Sequence, residues 1–394
     1  MRTISDDERR ARLAVRHRLA PGWRGDDVAR VAGEICGLHA TDPASVFLAA
    51  RARLAEPSVA AVEHALYDER SLLRILGMRR TMFVLPVELA AIVQASSTRA
   101  IVPVQRRLLI SHLEGGGVTD DGERWLQDAQ RDTLNALAAR GEAKAAELSQ
   151  DVPALRARIR MAEGKPYAAS QGVGPRVLFL LAAEGAIVRG RPLGTWTSTL
   201  YRWAPMERWL PGGLPQLEAD EAAAQLVARW LRAFGPGTFA DVKWWTGWTA
   251  TRVRRALAQV APVQVALADG RSAFVLADDA EPVSAPEGPW AALLPALDPG
   301  PMGWQERGWY LGAHRERLFD RSGNIGPSVW CDGRIVGGWA QRPDGEIALG
   351  LLEDVGADAA AAIACEAQRV RDWIGDVRVT PRFRTPLERE LATA

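Results

Sequence analysis

Gly37–Leu38–His39–Ala40–Thr41–Asp42–Pro43 breaks a run of helical periodicity with three polar side chains, and how that break is read decides the fold. Upstream, Val28, Val31, Ala32 and Ile35 fall at i, i+3, i+4, i+7 within a helix predicted over 26–36; downstream, Pro43 opens the next one. A polar cluster between two buried helices has two explanations. Thr41 or Asp42 can be the N-cap of the helix that starts at Pro43, a hydrogen bond worth about 1 kcal/mol. Alternatively, His39 and Thr41, two residues apart across Ala40, can hold a water or a reacting carbon between them.

Working outward, Ser5 and Glu8 form a capping box for a helix to about Leu19, and further helices read at 43–54 and 58–68. Leu72–Ile75 and Thr81–Leu85 read as short strands joined at Gly77, and a helix from Pro86 to Arg107 leads to the break Gly115–Gly116–Gly117. Helices followed by a short hairpin predict a winged helix-turn-helix module over 1–117. A second such module is expected over 118–215: a helix through Trp125–Arg140, a short one at 142–149, a helix at 174–185 in the place of a recognition helix, and a wing of Ala186–Arg189 and Thr195–Trp203 before the linker Pro211–Pro215. A third, over 216–285, has helices at 220–234, Thr238–Trp244 and Thr249–Val260, then strands at 263–267 and 272–276. What recurs is helix order and hairpin position rather than identical residues, the pattern of tandem modules. From 286 to 394 a meander is predicted, with strands Ser328–Asp332, Arg334–Ala340 and Glu346–Leu352, turns at Asp332–Gly333 and Asp344–Gly345, a covering helix at 357–373 and a final strand at 376–380. The predicted class is α+β: tandem winged-helix modules followed by an antiparallel β-rich domain.

The 394 residues can bury a large core. Only three of the 49 basic residues are lysines (Lys144, Lys165, Lys243), and the net charge is +1, so nucleic-acid contact would depend on local patches rather than a global field. Three are visible: Arg74/Arg79/Arg80, Arg252/Arg254/Arg255 and Arg315/Arg317/Arg321. Each is also consistent with a solvated surface. Thirteen of the 15 tryptophans lie at or beyond residue 196, which points to an aromatic interdomain core in the C-terminal half. Cys36, Cys331 and Cys365 are too far apart for a disulfide framework. Cys36 and His39 form a CxxH that lacks a second close pair, so neither metal nor cofactor is expected. The start MRTISDDERRARL has no apolar signal core, and no apolar run approaches the ~18 residues of a membrane span, so a cytoplasmic protein with no membrane partner is expected.

The stretches ICGLHATDPASVFLAARARL (35–54) and SLLRILGMRRTMFVLP (71–86), with LLPALDP at 293–299 and RIVGGW at 334–339, resemble the AlkZ-like winged-helix DNA glycosylases, bacterial enzymes associated with resistance to genotoxic natural products. That family usually carries Gln–aliphatic–Gln or Gln–aliphatic–Asp where this chain has His39–Ala40–Thr41. The resemblance implies hydrolysis of the bond between deoxyribose and a bulky alkylated base, such as an N7-alkylguanine adduct, in double-stranded DNA. Such a base is already cationic and need not be protonated; the enzyme must stabilise an oxocarbenium-like sugar and position water. His39 is the natural substitute for an amide, since a neutral imidazole can accept a proton near pH 7, while Thr41 only donates or accepts a hydrogen bond. Asp42 favours a developing cation if it faces the site and caps a helix if it does not. No lysine lies near His39 in sequence to form a Schiff base, which favours a monofunctional reaction.

The segment 314–327 joins Arg315, Arg317 and Arg321 to the apolar pair Leu318–Phe319 and a turn at Gly323–Asn324, a candidate DNA-probing element; the resemblance places a minor-groove hairpin in this part of the chain. Two other readings compete with a monomeric glycosylase. One is a non-catalytic winged-helix protein that binds DNA or sequesters a drug after losing the Gln pair. The other is a transcription regulator, disfavoured because nothing suggests a dimerisation helix.

Overall fold

Helix starts follow their capping residues. The computed structural model describes residues 2–161 and 169–393. Ser5 accepts from the Glu8 amide at 3.1 Å and starts the helix Asp6–Arg16. Asp27 caps Val28–Glu34, and Asp42 caps Pro43–Arg51 with Pro43 in the first turn. The segment 58–68 divides into an α-helix Val59–Glu63 and a π-helical turn His64–Asp68. The helix predicted at Pro86–Arg107 runs further, as Val87–Val93, a π-turn Gln94–Thr98 and then Arg99–Gly115.

The break at 37–43 is part of a sheet. Leu38–His39 pairs antiparallel with Met82–Pro86, which pairs with Leu72–Leu76, giving cross-strand rows Leu38–Val84–Arg74 and His39–Phe83–Ile75. Gly37 makes the approach possible: its φ is +103°, and a Cβ there would lie 2.3 Å from a Leu85 methyl. A two-residue edge strand is too short for alternation to reveal.

Residues 118–215 carry the helices Gly122–Arg140, Ala145–Asp151 and Gly174–Ala183 and the hairpin Ile187–Pro192/Tyr201–Pro205, around a core including Leu113, Leu126, Leu137, Val177, Leu181 and Trp203. A second hairpin, Arg158–Met161/Ala169–Gly172, was not expected. The helix Gly174–Ala183 buries Val177, Leu178, Leu180, Leu181 and Ala183, so it is a core helix and lacks the exposed polar face of a groove reader. Further on come Ala219–Phe234, Phe239–Thr246 and Ala250–Val260, then strands Val263–Leu267 and Ser272–Val275. Thr3–Ile4 adds a parallel strand to that hairpin across more than 260 residues of sequence, a pairing no local pattern announces.

The C-terminal part is a four-stranded antiparallel sheet, Ala291–Leu294, Ser328–Cys331, Arg334–Gln341 and Ile347–Leu351, packed by the helices Ala357–Ile374 and Pro386–Thr393. The strand predicted at 376–380 is not formed. The buried Gln341 amide does the pairing instead, donating to Val377 O at 3.2 Å and accepting from Val379 N at 2.8 Å, so a side chain satisfies the backbone that a ladder would otherwise satisfy. Tryptophan builds the core as composition suggested: Trp230, Phe234, Trp304, Trp309, Tyr310 and Trp330 form successive ring contacts of 4.8–5.8 Å. One continuous core draws on all parts of the chain, with the second segment contributing only residues such as Val188 and Trp196.

Candidate active site

His39 lies on the edge strand with its ring 5.4 Å from that of Phe83, and is only 5 % exposed. Its Nδ1 is buried with no hydrogen-bond partner among the described residues. Ala40 N donates to Met82 O at 2.7 Å and carries the ladder one residue further, before the chain bends at Thr41 and Asp42. The Thr41 hydroxyl is likewise buried and unpartnered. Two orphaned polar atoms at this spacing are what a ligand-holding pair presents. Burial holds the His39 imidazole down to about 3, with repulsion from Arg79 adding to it. His39 is therefore neutral throughout the physiological range. It is a much weaker proton acceptor than an exposed imidazole, which revises the expectation of a base titrating near pH 7.

Asp42 is committed to structure. One carboxylate oxygen accepts from Ala44 N at 3.2 Å and the other from Arg382 N at 2.9 Å, tying the helix start to the C-terminal segment. The capping role is the one the fold displays, with each oxygen of Asp42 accepting one backbone hydrogen bond.

The turn Gly77–Thr81 brings arginine to His39. Arg79 and Arg80 both adopt positive φ, +52° and +61°, a conformation costly for side chains with a Cβ and concentrated at functional sites. Met78, 1 % exposed, anchors the turn. The Arg79 guanidinium lies 4.0 Å over the Trp244 ring, and Gly247, at positive φ, would bring a Cβ within 3.1 Å of Arg79 Cγ. Arg307 covers Trp244 at 4.7 Å and Phe319 at 5.0 Å, and Arg315 lies over Phe319 at 5.2 Å. Burial pushes Arg79 down to about 10 and lowers Arg307 as well. A second group lies beside Asp42. Burial lowers Arg74, whose Nε is unpartnered; burial also lowers Arg189, which stands 4.5 Å over Tyr201 and is repelled by Arg74 and Arg382.

The other expected contacts divide. Arg80 is exposed and reaches Gln105 at 3.4 Å. Arg252 lies 4.6 Å over Trp248 and Arg254 5.5 Å over Phe239, whereas Arg255 is paired with Asp220 at 2.7 Å. Arg315 and Arg321 are exposed, but Arg317 is paired with Glu390 at 2.6 Å. Asn324 closes its own loop: its amide and side-chain Nδ2 both donate to Asp320 at 2.8 Å. Phe319 and Leu318 are 5 % and 0 % exposed, so the apolar pair is core and cannot wedge into a groove in this conformation. Sequence reading missed Trp244, Arg189, Arg307 and Arg382. In the sequence Trp244 reads only as part of the aromatic core, and no spacing marks the arginines. Lys165 lies outside the described residues. Among those residues no group of three or more His, Cys, Asp or Glu is arranged to hold a metal ion, and no helix is long and apolar enough to cross a membrane.

The family model described as DNA glycosylase AlkZ-like matches residues 32–373. The chain belongs to that family. Membership makes it a relative of enzymes, and it puts the His39–Ala40–Thr41 variant inside a DNA glycosylase frame. A curated relative, the interstrand DNA cross-link repair glycosylase of Streptomyces sahachiroi, is 29 % identical over 175 residues, 42 % of this chain; the match spans about half, 46 %, of that protein's length. The solved structure of the Streptomyces sahachiroi DNA glycosylase AlkZ superposes with a TM-score of 0.70 at 22 % identity, covering 93 % of this chain and 97 % of the other. That similarity establishes a shared mixed α+β fold.

Proposed function

We propose that this protein is a monofunctional DNA glycosylase that excises bulky alkylated bases, N7-alkylguanine adducts among them, from duplex DNA. The observation that carries the reading is the pair of buried polar atoms, His39 Nδ1 and Thr41 Oγ1, that have no partner among the described residues, near Arg79, which has no carboxylate partner among them either, within an AlkZ-like frame. In this mechanism the neutral imidazole and the hydroxyl orient a water toward the sugar carbon as the cationic base departs. Arg80, Arg252, Arg254, Arg315 and Arg321 meet the phosphates, and the helix–hairpin units act as tandem winged helices. Asp42 contributes by holding the Thr41–Pro43 backbone. The protein acts as a cytoplasmic monomer. The name of the curated relative adds interstrand cross-links to the substrates to be tried.

Monofunctionality rests on the scarcity of lysine; Lys243 is exposed on the helix that carries Trp244. Incubation with alkylated duplex followed by alkali is expected to cut the strand at abasic sites, with no cutting before alkali and no borohydride-trapped covalent complex. Intact strands after alkali would favour the second reading, a non-catalytic DNA-binding or drug-sequestering protein, which the absence of both Gln residues supports.

A further inference from the structure

Arg79 comes from the turn after Leu76, Arg307 and Arg315 from one later stretch of chain, and all three lie over two aromatic rings. Trp244 is covered by Arg79 at 4.0 Å and by Arg307 at 4.7 Å; Phe319 is approached by Arg307 at 5.0 Å and by Arg315 at 5.2 Å. An aromatic face attracts a guanidinium without neutralising it, so the ladder retains three positive charges. None of the three is joined to a carboxylate by an ion pair among the described residues. Two acidic groups act on Arg307: first the Tyr310 hydroxyl, which burial keeps neutral, and then Asp241, whose oxygens already serve the backbone, Oδ1 accepting from Gln305 N at 2.9 Å and Glu306 N at 3.2 Å, Oδ2 from Thr238 N at 3.0 Å and Thr238 Oγ1 at 2.8 Å.

Arg307 is 7 % exposed, yet among the described residues its Nε and Nη2 have no hydrogen-bond partner, and neither does Arg79 Nε. A buried guanidinium with free N–H groups is costly unless an anion completes it, and its planar fork fits two oxygens of one phosphate. Arg79 is also the charged group whose field reaches His39. An uncompensated Arg79 there opposes positive charge forming on a sugar, and a bound anion removes that opposition.

We propose that Arg79, Arg307 and Arg315 form a binding site for a single DNA backbone phosphate next to the nucleotide acted on at His39, with Trp244 and Phe319 as its spacers. The proposal rests on the DNA glycosylase reading and adds Arg307 as the central ligand. Its functional consequence is that affinity and rate depend on one particular linkage near the adduct, beyond the general attraction of a basic surface.

The test uses full-length protein and fluorescence anisotropy with a 20-base-pair duplex carrying a tetrahydrofuran abasic-site analogue. Arg307→Gln is expected to make the log–log salt dependence shallower by about 0.9, the value of one phosphate contact, and Arg307→Lys to restore most of it. Replacing single phosphates near the analogue by uncharged methylphosphonate is expected to weaken wild-type binding by about 10-fold at one linkage, with no further loss there in Arg307→Gln. Arg315→Gln, at an exposed position, gives the same pattern should Arg307→Gln fail to fold. Binding with unchanged slope in the variants, or the same small loss at every linkage, would overturn the phosphate site while leaving the glycosylase reading intact. Inorganic phosphate bound by the wild type while no methylphosphonate linkage weakens DNA binding would assign the pocket to a free anion and also overturn it. No DNA binding by the wild type would overturn both readings together.

Discussion

The guanidinium of Arg53 meets the carboxylate of Asp298 in a two-pronged pair, Nη1–Oδ2 at 2.8 Å and Nη2–Oδ1 at 2.7 Å, with both side chains 0 % exposed. It joins the segment that follows the His39–Ala40–Thr41 motif to the LLPALDP stretch, so the two motifs are parts of one core. Removing one partner strands a buried charge. Asp298→Asn is expected to lower stability by about 3–5 kcal/mol, read from urea unfolding, whereas Arg53→Met combined with Asp298→Leu loses less than either single change. A loss under about 1 kcal/mol in the single variant would mean the pair is hydrated in solution.

His17 and His39 predict how stability varies with pH. Burial holds both near a pKa of about 3, against 6.5 for the free side chain. Between those values the unfolded chain binds protons that the folded chain refuses. Their contribution is therefore complete above about pH 6.5 and is lost progressively as pH falls toward 3. Between pH 7 and 5, before most carboxylates protonate, the urea midpoint is expected to fall, and His17→Gln should flatten that fall by about half. A midpoint independent of pH over this window would show that these imidazoles reach water in the native state.

Much of the helical fold was legible because its signals are local: Ser5, Asp27, Asp42, Thr238 and Thr249 each cap the helix they precede. The meander was legible from its Asp–Gly turns. What stayed hidden depends on distance. Thr3–Ile4 finds its partner across the chain, and Gln341 replaces a strand at 377–379 from a neighbouring element. The same holds for the candidate site. His39 and Thr41 could be named from their spacing, but the burial that keeps His39 neutral and the three-part arginine ladder arise only when residues 79, 244, 307 and 319 are brought together.

Ion pairing sorts the surface arginines. Arg317 is engaged by Glu390 and Arg255 by Asp220, whereas Arg315 has no carboxylate partner among the described residues. A paired arginine must give up its carboxylate to meet a phosphate, which cancels part of the gain. DNA affinity is expected to fall steeply with salt, and Arg315→Ala should make the log–log slope shallower by about 0.9, with a smaller change for Arg317→Ala and Arg255→Ala. Equal changes in all three would assign them to one unspecific field.

Phe319 separates a probing role from a packing role. It is buried under Arg307 and Arg315 and paired through its backbone with Ile325. Phe319→Ala is expected to cost about 3–5 kcal/mol of stability, the usual range for a truncated core aromatic. A variant with unchanged thermal stability but weakened action on duplex adducts would restore the wedge.

His39 is where the chemistry is most sharply exposed to test. Held neutral by burial and by Arg79, it resembles an amide in function: it can orient water through one ring nitrogen, but it takes up a full proton only near pH 3. His39→Ala is expected to reduce single-turnover excision of an N7-alkylguanine by about 10²-fold with DNA binding intact, because the loss falls on the chemical step. Thr41→Ala should cost less. The pH profile carries the mechanism. An orienting imidazole gives a wild-type rate that stays level from pH 8 to 5, and His39→Gln, which supplies the amide usual in this family, retains most of the activity. A rate that falls with a midpoint near 6.5 would instead show that the imidazole titrates as a general base once DNA is bound, and His39→Gln would then be as slow as His39→Ala. Equal rates for wild type and His39→Ala at every pH would leave adduct charge and binding energy as the sources of the rate, and would move the catalytic role away from this strand.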